Sequence, residues 1–164
     1  MAEDRQKIKL GVSIGDLNGI GCEVVLKTFE DIRMLDFCTP VIFASNKTIS
    51  YQKSELGLEI NYNGIQEASK AIDGKLNVVN VWKEIPKIEF GVATKEAGDY
   101  ALKSLKAAVK ALKDGDIDVL VTAPINKNNI QAEDFKFPGH TDYLAHELEG
   151  ESLMFMVTDE LKVK

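Results

Sequence analysis

The segment IKLGVSI followed by GDLNGIG, residues 8–21, decides the fold class. Every second residue of its first half is apolar (positions 8, 10, 12 and 14), which predicts a β-strand over 8–14. Its second half has glycines at 15, 19 and 21, and this spacing is typical of a tight turn. A pattern with apolar residues three or four positions apart then predicts a helix. The segment therefore predicts a strand–turn–helix unit.

Strand and helix patterns alternate along the rest of the chain, with Pro40 ending the first helical region. We predict further strands over 41–44, 76–82, 117–121, 153–157 and 161–164. We predict helices over 47–56, 94–113 and 141–148, with Asn46 as the cap of the helix over 47–56. A turn is predicted over 61–64. This alternation predicts an α/β fold with a largely parallel sheet covered by helices, in one domain over 1–164. The strand-like end suggests a sequence cut from a longer one.

The amino-acid composition of the chain makes some classes of binding partner unfavourable. Of the 164 residues, 45% are hydrophobic and 28% are charged, as in ordinary globular proteins. The net charge of −6 works against nonspecific binding to nucleic acid or anionic lipid. No apolar run is long enough for a membrane span, so we expect no nucleic-acid and no membrane partner. Cys22 and Cys38 form no CxxC motif and suggest two reduced thiols in a cytoplasmic protein.

The glycine-rich turn does not match the common nucleotide-binding motifs. Its pattern is neither the dinucleotide fingerprint GxGxxG nor a phosphate-binding P-loop. The second predicted strand ends at Ala44-Ser45-Asn46, without the acidic residue that usually holds a ribose hydroxyl. Two interpretations of the turn stay open. Either Asp16 and Asn18 face a ligand, or the glycines serve only the turn.

Two further segments lie where the ligands of α/β sheets bind. In TAPINK (122–127), Lys127 is either a point charge for an anionic substrate or a solvated lysine, and Thr122 either serves a site or caps backbone groups. In PGHT (138–141), His140 and Thr141 either form an anion site at a helix N-terminus, or Thr141 is the N-cap and His140 an exposed loop residue. His146 suits a surface position. Two histidines without a Cys/His pair at ligand spacing make no complete recognisable metal site, while sites of Asp and Glu stay open.

Taken together, IGDLNGIGCE (14–23), TAPINK (122–127) and FPGHTDYLA (137–145) resemble the N-terminal half of the 4-hydroxythreonine-4-phosphate dehydrogenase family. The resemblance implies an isocitrate/isopropylmalate dehydrogenase-like fold with the active site in a cleft at a homodimer interface. It implies oxidation of a phosphorylated substrate with NAD or NADP, followed by decarboxylation, in vitamin B6 biosynthesis. It also implies a divalent metal, commonly zinc, held by histidines in the half that this chain does not contain.

Carried over to this sequence, the resemblance assigns substrate binding to His140 and Thr141 and suggests looser roles for Asp16, Asn18 and Lys127. Leu17 and Cys22 stand where prolines are common in the family, and Asp142 where glutamate is usual; these are departures from its pattern. We expect the 164-residue chain alone to be inactive. Two alternatives stay open: a paralogous dehydrogenase of another phosphorylated four-carbon hydroxy acid, and a non-catalytic module that binds a phosphorylated ligand.

Overall fold

The structure is a computed structural model that describes residues 7–131 and 135–163. Its strands are β1 (Ile8–Ser13), β2 (Cys38–Ala44), β3 (Tyr62–Ile65), β4 (Leu76–Asn80), β5 (Val119–Thr122), β6 (Met156–Val157) and β7 (Lys162–Val163). Its α-helices are α1 (Gly21–Glu30), α2 (Asn46–Glu55), α3 (Lys95–Lys113) and α4 (His140–Glu147), with short 3-10 helices over Ile32–Asp36 and Ala68–Lys70. None of the helices in these two ranges has the length and apolar character needed to cross a membrane.

The first five strands form one parallel sheet in the order β3-β4-β2-β1-β5. β6 and β7 pair separately and antiparallel; the last predicted strand includes Lys164, which lies outside the described residues. Since parallel strands need crossover connections, helices cover the sheet. The predicted fold class, a parallel α/β sheet covered by helices, is confirmed.

Alternate residues of the central strands pack on opposite faces of the sheet. Ile42 lies in a buried cluster with Leu26 of α1 and Ile49 of α2. Its neighbour Phe43 lies in a second cluster with Ala108 of α3. A strand buried on both faces reads as a continuous apolar run, which explains the pattern of residues 41–44.

Pro40 lies inside β2 and does not end the preceding helical region, so the prediction for this residue was wrong. It pairs with Leu10 of β1, while the pairing of β2 with β4 begins one residue later, at Val41. The Pro40 carbonyl faces β4 and accepts a hydrogen bond of 3.2 Å from the Asn77 side chain. The missing N–H of proline therefore breaks no hydrogen bond between β2 and β4.

Local boundaries also differ from the prediction. The 61–64 turn is instead the start of β3, an edge strand that pairs only with β4 and so needs no apolar run. The N-cap of α2 is Ser45, whose hydroxyl accepts from the Thr48 N–H at 3.2 Å, and Asn46 is the first helical residue. The first helical region breaks after Glu30, where Asp31 caps the following 3-10 helix.

Candidate functional site

A crevice opens at the carboxyl ends of β1 and β5. The chain leaves β1 toward α1 on one face of the sheet. After β5 it leads to Ile130 and Phe135, which pack with Leu105 of α3 on the other face. Neighbouring parallel strands whose connections diverge in this way leave a crevice in which ligands of α/β proteins bind.

The two walls of this crevice are the glycine-rich turn after β1 and the segment after β5, and they are hydrogen-bonded to each other. The Asp16 N–H donates to the Pro124 carbonyl at 2.9 Å. Gly15 has a φ of +67°, and a Cβ there would lie 2.1 Å from the Pro124 oxygen, so this position requires glycine. The open depression of about 300 Å³ beside this contact is lined by Asp16, Asn18, Gly19, Ile20, Val92, Ala93, Pro124, Ile125 and Asn126.

The Asn18 side chain is buried and fully used inside the protein. Its amide nitrogen donates to the Val92 carbonyl at 2.8 Å and to the Thr94 hydroxyl at 3.1 Å. Its amide oxygen accepts from the Glu89 N–H at 2.8 Å. Thr94 in turn accepts from the Ala97 N–H and caps α3. These contacts favour a structural role for Asn18, which ties the glycine-rich turn to residues 89–94.

Lys127 extends from the β5 side of the crevice toward α4. Its Cε lies 3.9 Å from the position that a Cβ on Gly139 would occupy. The side chain is exposed, and within residues 7–131 and 135–163 its ammonium group has no ion pair. The structure thus places a free positive charge beside the residue that precedes His140.

The N-terminus of α4 offers unpaired backbone donors. Gly139 is the N-cap and provides no side-chain hydrogen bond, so the interpretation of Thr141 as N-cap was wrong. The first N–H that bonds back is that of Tyr143, to the Gly139 carbonyl at 3.4 Å. The N–H groups of the first three helical residues therefore have no partner within the helix, an arrangement that suits an anion. Thr141 is exposed in this first turn.

The His140 ring is half-buried beside these donors. Its Nε2 is inaccessible to solvent and has no hydrogen-bond partner among the described residues. Burial lowers the pKa of His140, which favours the neutral imidazole at neutral pH. A buried ring nitrogen without a partner is costly and needs an explanation, which makes His140 a candidate for a hydrogen bond that forms only when a ligand binds.

We expect His140→Gln to make the free energy of unfolding less sensitive to acid. Because the pKa of His140 is lowered in the folded state, the unfolded chain takes up this proton first. Stability is therefore lost as the pH falls below the ordinary histidine pKa of about 6.5. Urea unfolding at about pH 7.5 and about pH 5.5 measures this difference. His146→Gln is the control, since His146 is exposed; an equal change in both variants would contradict the prediction.

The described residues give no basis for placing a metal or a nicotinamide cofactor. No three His, Cys, Asp or Glu side chains within residues 7–131 and 135–163 group as metal ligands. At the end of β2, where dinucleotide-binding folds place an acidic residue, the Ser45 hydroxyl instead caps α2. We therefore assign neither group to these residues and derive no chemical step through them.

Sequence reasoning missed Asn129, which connects the two walls of the crevice. Its amide nitrogen donates to Asp16 Oδ2 at 2.8 Å. The neighbouring α3 approaches so closely that a Cβ on Gly98 would lie 2.0 Å from the backbone carbonyl oxygen of Asn129. The run Asn126-Lys127-Asn128-Asn129 was a visible signal of a structured turn, but the sequence does not indicate which asparagine turns inward.

The comparisons with known proteins show the family of the chain. The family model for the pyridoxal phosphate biosynthetic protein PdxA matches residues 36–164. The chain belongs to the PdxA family. The predicted family resemblance is thereby confirmed. The match includes Lys127, His140 and Thr141, while the glycine-rich turn precedes it.

Individual relatives of this PdxA family chain cover nearly all of it. It is 43% identical over 162 residues to a 4-hydroxythreonine-4-phosphate dehydrogenase from Bacteroides thetaiotaomicron, covering 98% of this chain and 44% of that relative. It is 30% identical over 158 residues to a D-threonate 4-phosphate dehydrogenase from Cupriavidus necator. This match covers 94% of this chain and 47% of that relative. The chain spans about half the length of the curated relatives that it matches.

A solved structure supports the same fold. The crystal structure of a 4-hydroxythreonine-4-phosphate dehydrogenase from Burkholderia phymatum superposes with a TM-score of 0.85 at 30% identity. It covers 96% of this PdxA family chain, which in turn spans 49% of that structure.

Proposed function

We propose that the whole protein is a dehydrogenase that oxidises 4-hydroxythreonine-4-phosphate with NAD or NADP and a divalent metal, zinc in our proposal, in pyridoxal phosphate biosynthesis. The oxidised acid then loses carbon dioxide. The present chain contributes the site for the phosphorylated substrate, with His140 and Thr141 as binding residues and Lys127 beside them. The relatives named for this activity support the reaction class.

One observation carries the assignment to these residues. A free lysine ammonium, an unpartnered histidine nitrogen and a helix N-terminus with unpaired N–H groups lie at one end of α4. Each of them favours an anion, and the phosphate is the most highly charged group of the substrate. In this arrangement the chain binds and orients the substrate, while oxidation is left to the cofactor.

D-threonate 4-phosphate is the second candidate substrate, because relatives with this activity also cover most of the chain. Both compounds are phosphorylated four-carbon hydroxy acids, so the same anion site serves either of them. Their discrimination therefore depends on contacts to the other end of the molecule. Steady-state kinetics of the whole protein with both substrates would separate the two, the preferred one having the higher kcat/KM.

We further propose that the whole protein is a homodimer in the cytoplasm. The described cysteines are free thiols, as is usual in the cytoplasm. A run of five apolar residues around β6 is more than half exposed in the single chain: Leu153, Met154, Phe155, Met156 and Val157. A contiguous exposed apolar segment of this kind is a surface that either a second subunit or the rest of the whole protein would cover; we propose the second subunit. Light scattering on the whole protein gives its mass; a monomer would contradict the proposal.

The substrate site is tested by titrating the whole protein with 4-hydroxythreonine-4-phosphate in a calorimeter. We expect Lys127→Ala and His140→Ala each to weaken binding by about tenfold or more, because each removes one group of the anion site. In the whole protein, the same variants should lower kcat/KM for reduction of NAD or NADP by a similar factor.

Two matched variants control for charge and residue type. Lys75→Ala removes an exposed lysine at the amino end of β4, and His146→Ala removes the exposed histidine of α4. Both should bind the phosphate ester as tightly as the unchanged protein does. If Lys75→Ala weakened binding as much as Lys127→Ala, the binding would be nonspecific and the assigned site would be wrong.

A further inference from the structure

The carboxylate of Asp16, at the lining of the crevice, is used by hydrogen bonds within the protein. Its residue is only 6% exposed, and both oxygens accept hydrogen bonds inside the protein. Oδ1 accepts from the Asn18 N–H at 2.8 Å, which closes the glycine-rich turn. Oδ2 accepts from the Asn129 amide nitrogen at 2.8 Å. Asp16 therefore bonds at once to its own turn and to the segment after β5.

The segment around Asn129 forms the turn that carries Lys127. The Asn126 carbonyl accepts from the Asn129 N–H at 3.3 Å and from the Ile130 N–H at 3.1 Å. The Asn126 side chain accepts from the Asn128 N–H at 3.0 Å. These bonds fix the shape of the turn but do not attach it to the rest of the molecule.

Asn129 attaches the turn from two sides, next to Ile130, which packs with Leu105 of α3. Its side chain is bonded to Asp16, and its backbone oxygen lies against Gly98 of α3. Lys127, two residues earlier, is exposed and reaches Gly139 by its side chain alone. The position of the ammonium group thus depends on where Asn129 holds the turn.

We propose that Asp16 and Asn129 are positioning residues, a hydrogen-bonded pair that fixes the turn so that Lys127 points at the N-terminus of α4. The proposal deepens the proposed function and rests on it, since Lys127 matters only if an anion binds there. The same pair explains why an aspartate is useful in the turn although its carboxylate is used within the protein. An acceptor with two oxygens satisfies the Asn18 N–H and the Asn129 amide together.

The pair can be broken and restored by exchanging its two side chains. Asn129→Asp places two carboxylates against each other, which repel and displace the turn. In the double variant Asp16→Asn with Asn129→Asp, the amide at position 16 again accepts from the Asn18 N–H and donates to the carboxylate at position 129. We expect Asn129→Asp to weaken binding of 4-hydroxythreonine-4-phosphate by about tenfold or more, and the double variant to recover most of this loss.

A double-mutant cycle with Lys127→Ala separates positioning from general destabilisation. If Asn129 acts through Lys127, Asn129→Asp should have little further effect on affinity in the Lys127→Ala background. Thr39→Val removes a buried hydroxyl bonded to Asp73 near the opposite end of the sheet and serves as the stability control. An unchanged affinity for Asn129→Asp, or the same loss with and without Lys127, would overturn the proposal.

A second readout does not depend on ligand binding. In the unliganded chain, NMR cross-relaxation between the Lys127 side chain and the Gly139 α-protons should be present, lost in Asn129→Asp and restored in the double variant. If the whole protein without substitutions did not bind the phosphate ester, the proposed function would fail while this readout still tested the pair. If the Lys127–Gly139 contact survived in Asn129→Asp, the positioning role would be wrong.

Discussion

Replacing Gly15 with alanine is expected to lower the free energy of unfolding by about 3–5 kcal/mol. Gly15 has a φ of +67°, a left-handed conformation that costs other residues about 1–2 kcal/mol. The new Cβ would also lie 2.1 Å from the Pro124 carbonyl oxygen, which already accepts from the Asp16 N–H. Because the Cβ position is fixed by the backbone of residue 15 and the oxygen is itself a backbone atom, relief requires the two walls of the crevice to move apart. Urea unfolding measures the loss.

Gly57 provides a matched control for the backbone conformation. Its φ is +64°, close to that of Gly15, but no atom lies within 4 Å of the position that its Cβ would occupy. Gly57→Ala should therefore cost only about 1–2 kcal/mol. The difference between the two variants isolates the contact with Pro124. Equal losses would mean that the glycine-rich turn and the segment after β5 do not pack as described.

The fold was largely predictable because most of its elements have local signals. The helix predicted over 94–113 is α3, Lys95–Lys113, with Thr94 as its cap. Where tertiary contacts determine the local structure, the sequence pattern gave wrong predictions. Residues 61–64 carry turn-forming side chains yet begin β3, because an edge strand needs only one partner. Pro40 fits within β2 because β4 begins to pair only at the following residue.

The candidate site was predictable as a set of segments but not as a set of contacts. The turn at 15–21, Lys127 and the His140–Thr141 pair were all visible in the sequence. The partner of Asp16 was not, because Asn129 lies 113 residues away and a long-range hydrogen bond leaves no periodic pattern. For the same reason the sequence could not indicate whether Asn18 faces a ligand or the protein interior.

Asn18→Asp tests that question with a substitution that barely changes shape. The residue is 4% exposed, and its amide nitrogen donates to the Val92 carbonyl at 2.8 Å. A carboxylate there would place two acceptors against each other in a buried position. We expect the free energy of unfolding at neutral pH to fall by about 3 kcal/mol. Urea unfolding at several pH values measures the effect.

The loss of stability in Asn18→Asp should depend on pH in one direction. Burial and the Val92 carbonyl would raise the pKa of the new carboxyl above its usual value of about 3.9. The destabilisation is then full above that raised pKa and shrinks as the pH falls and the carboxyl is protonated. Asn61→Asp, at an exposed asparagine, should show neither effect. If Asn18 instead faced a ligand, Asn18→Asp would leave stability almost unchanged and weaken binding of the phosphate ester, because the new charge would repel it.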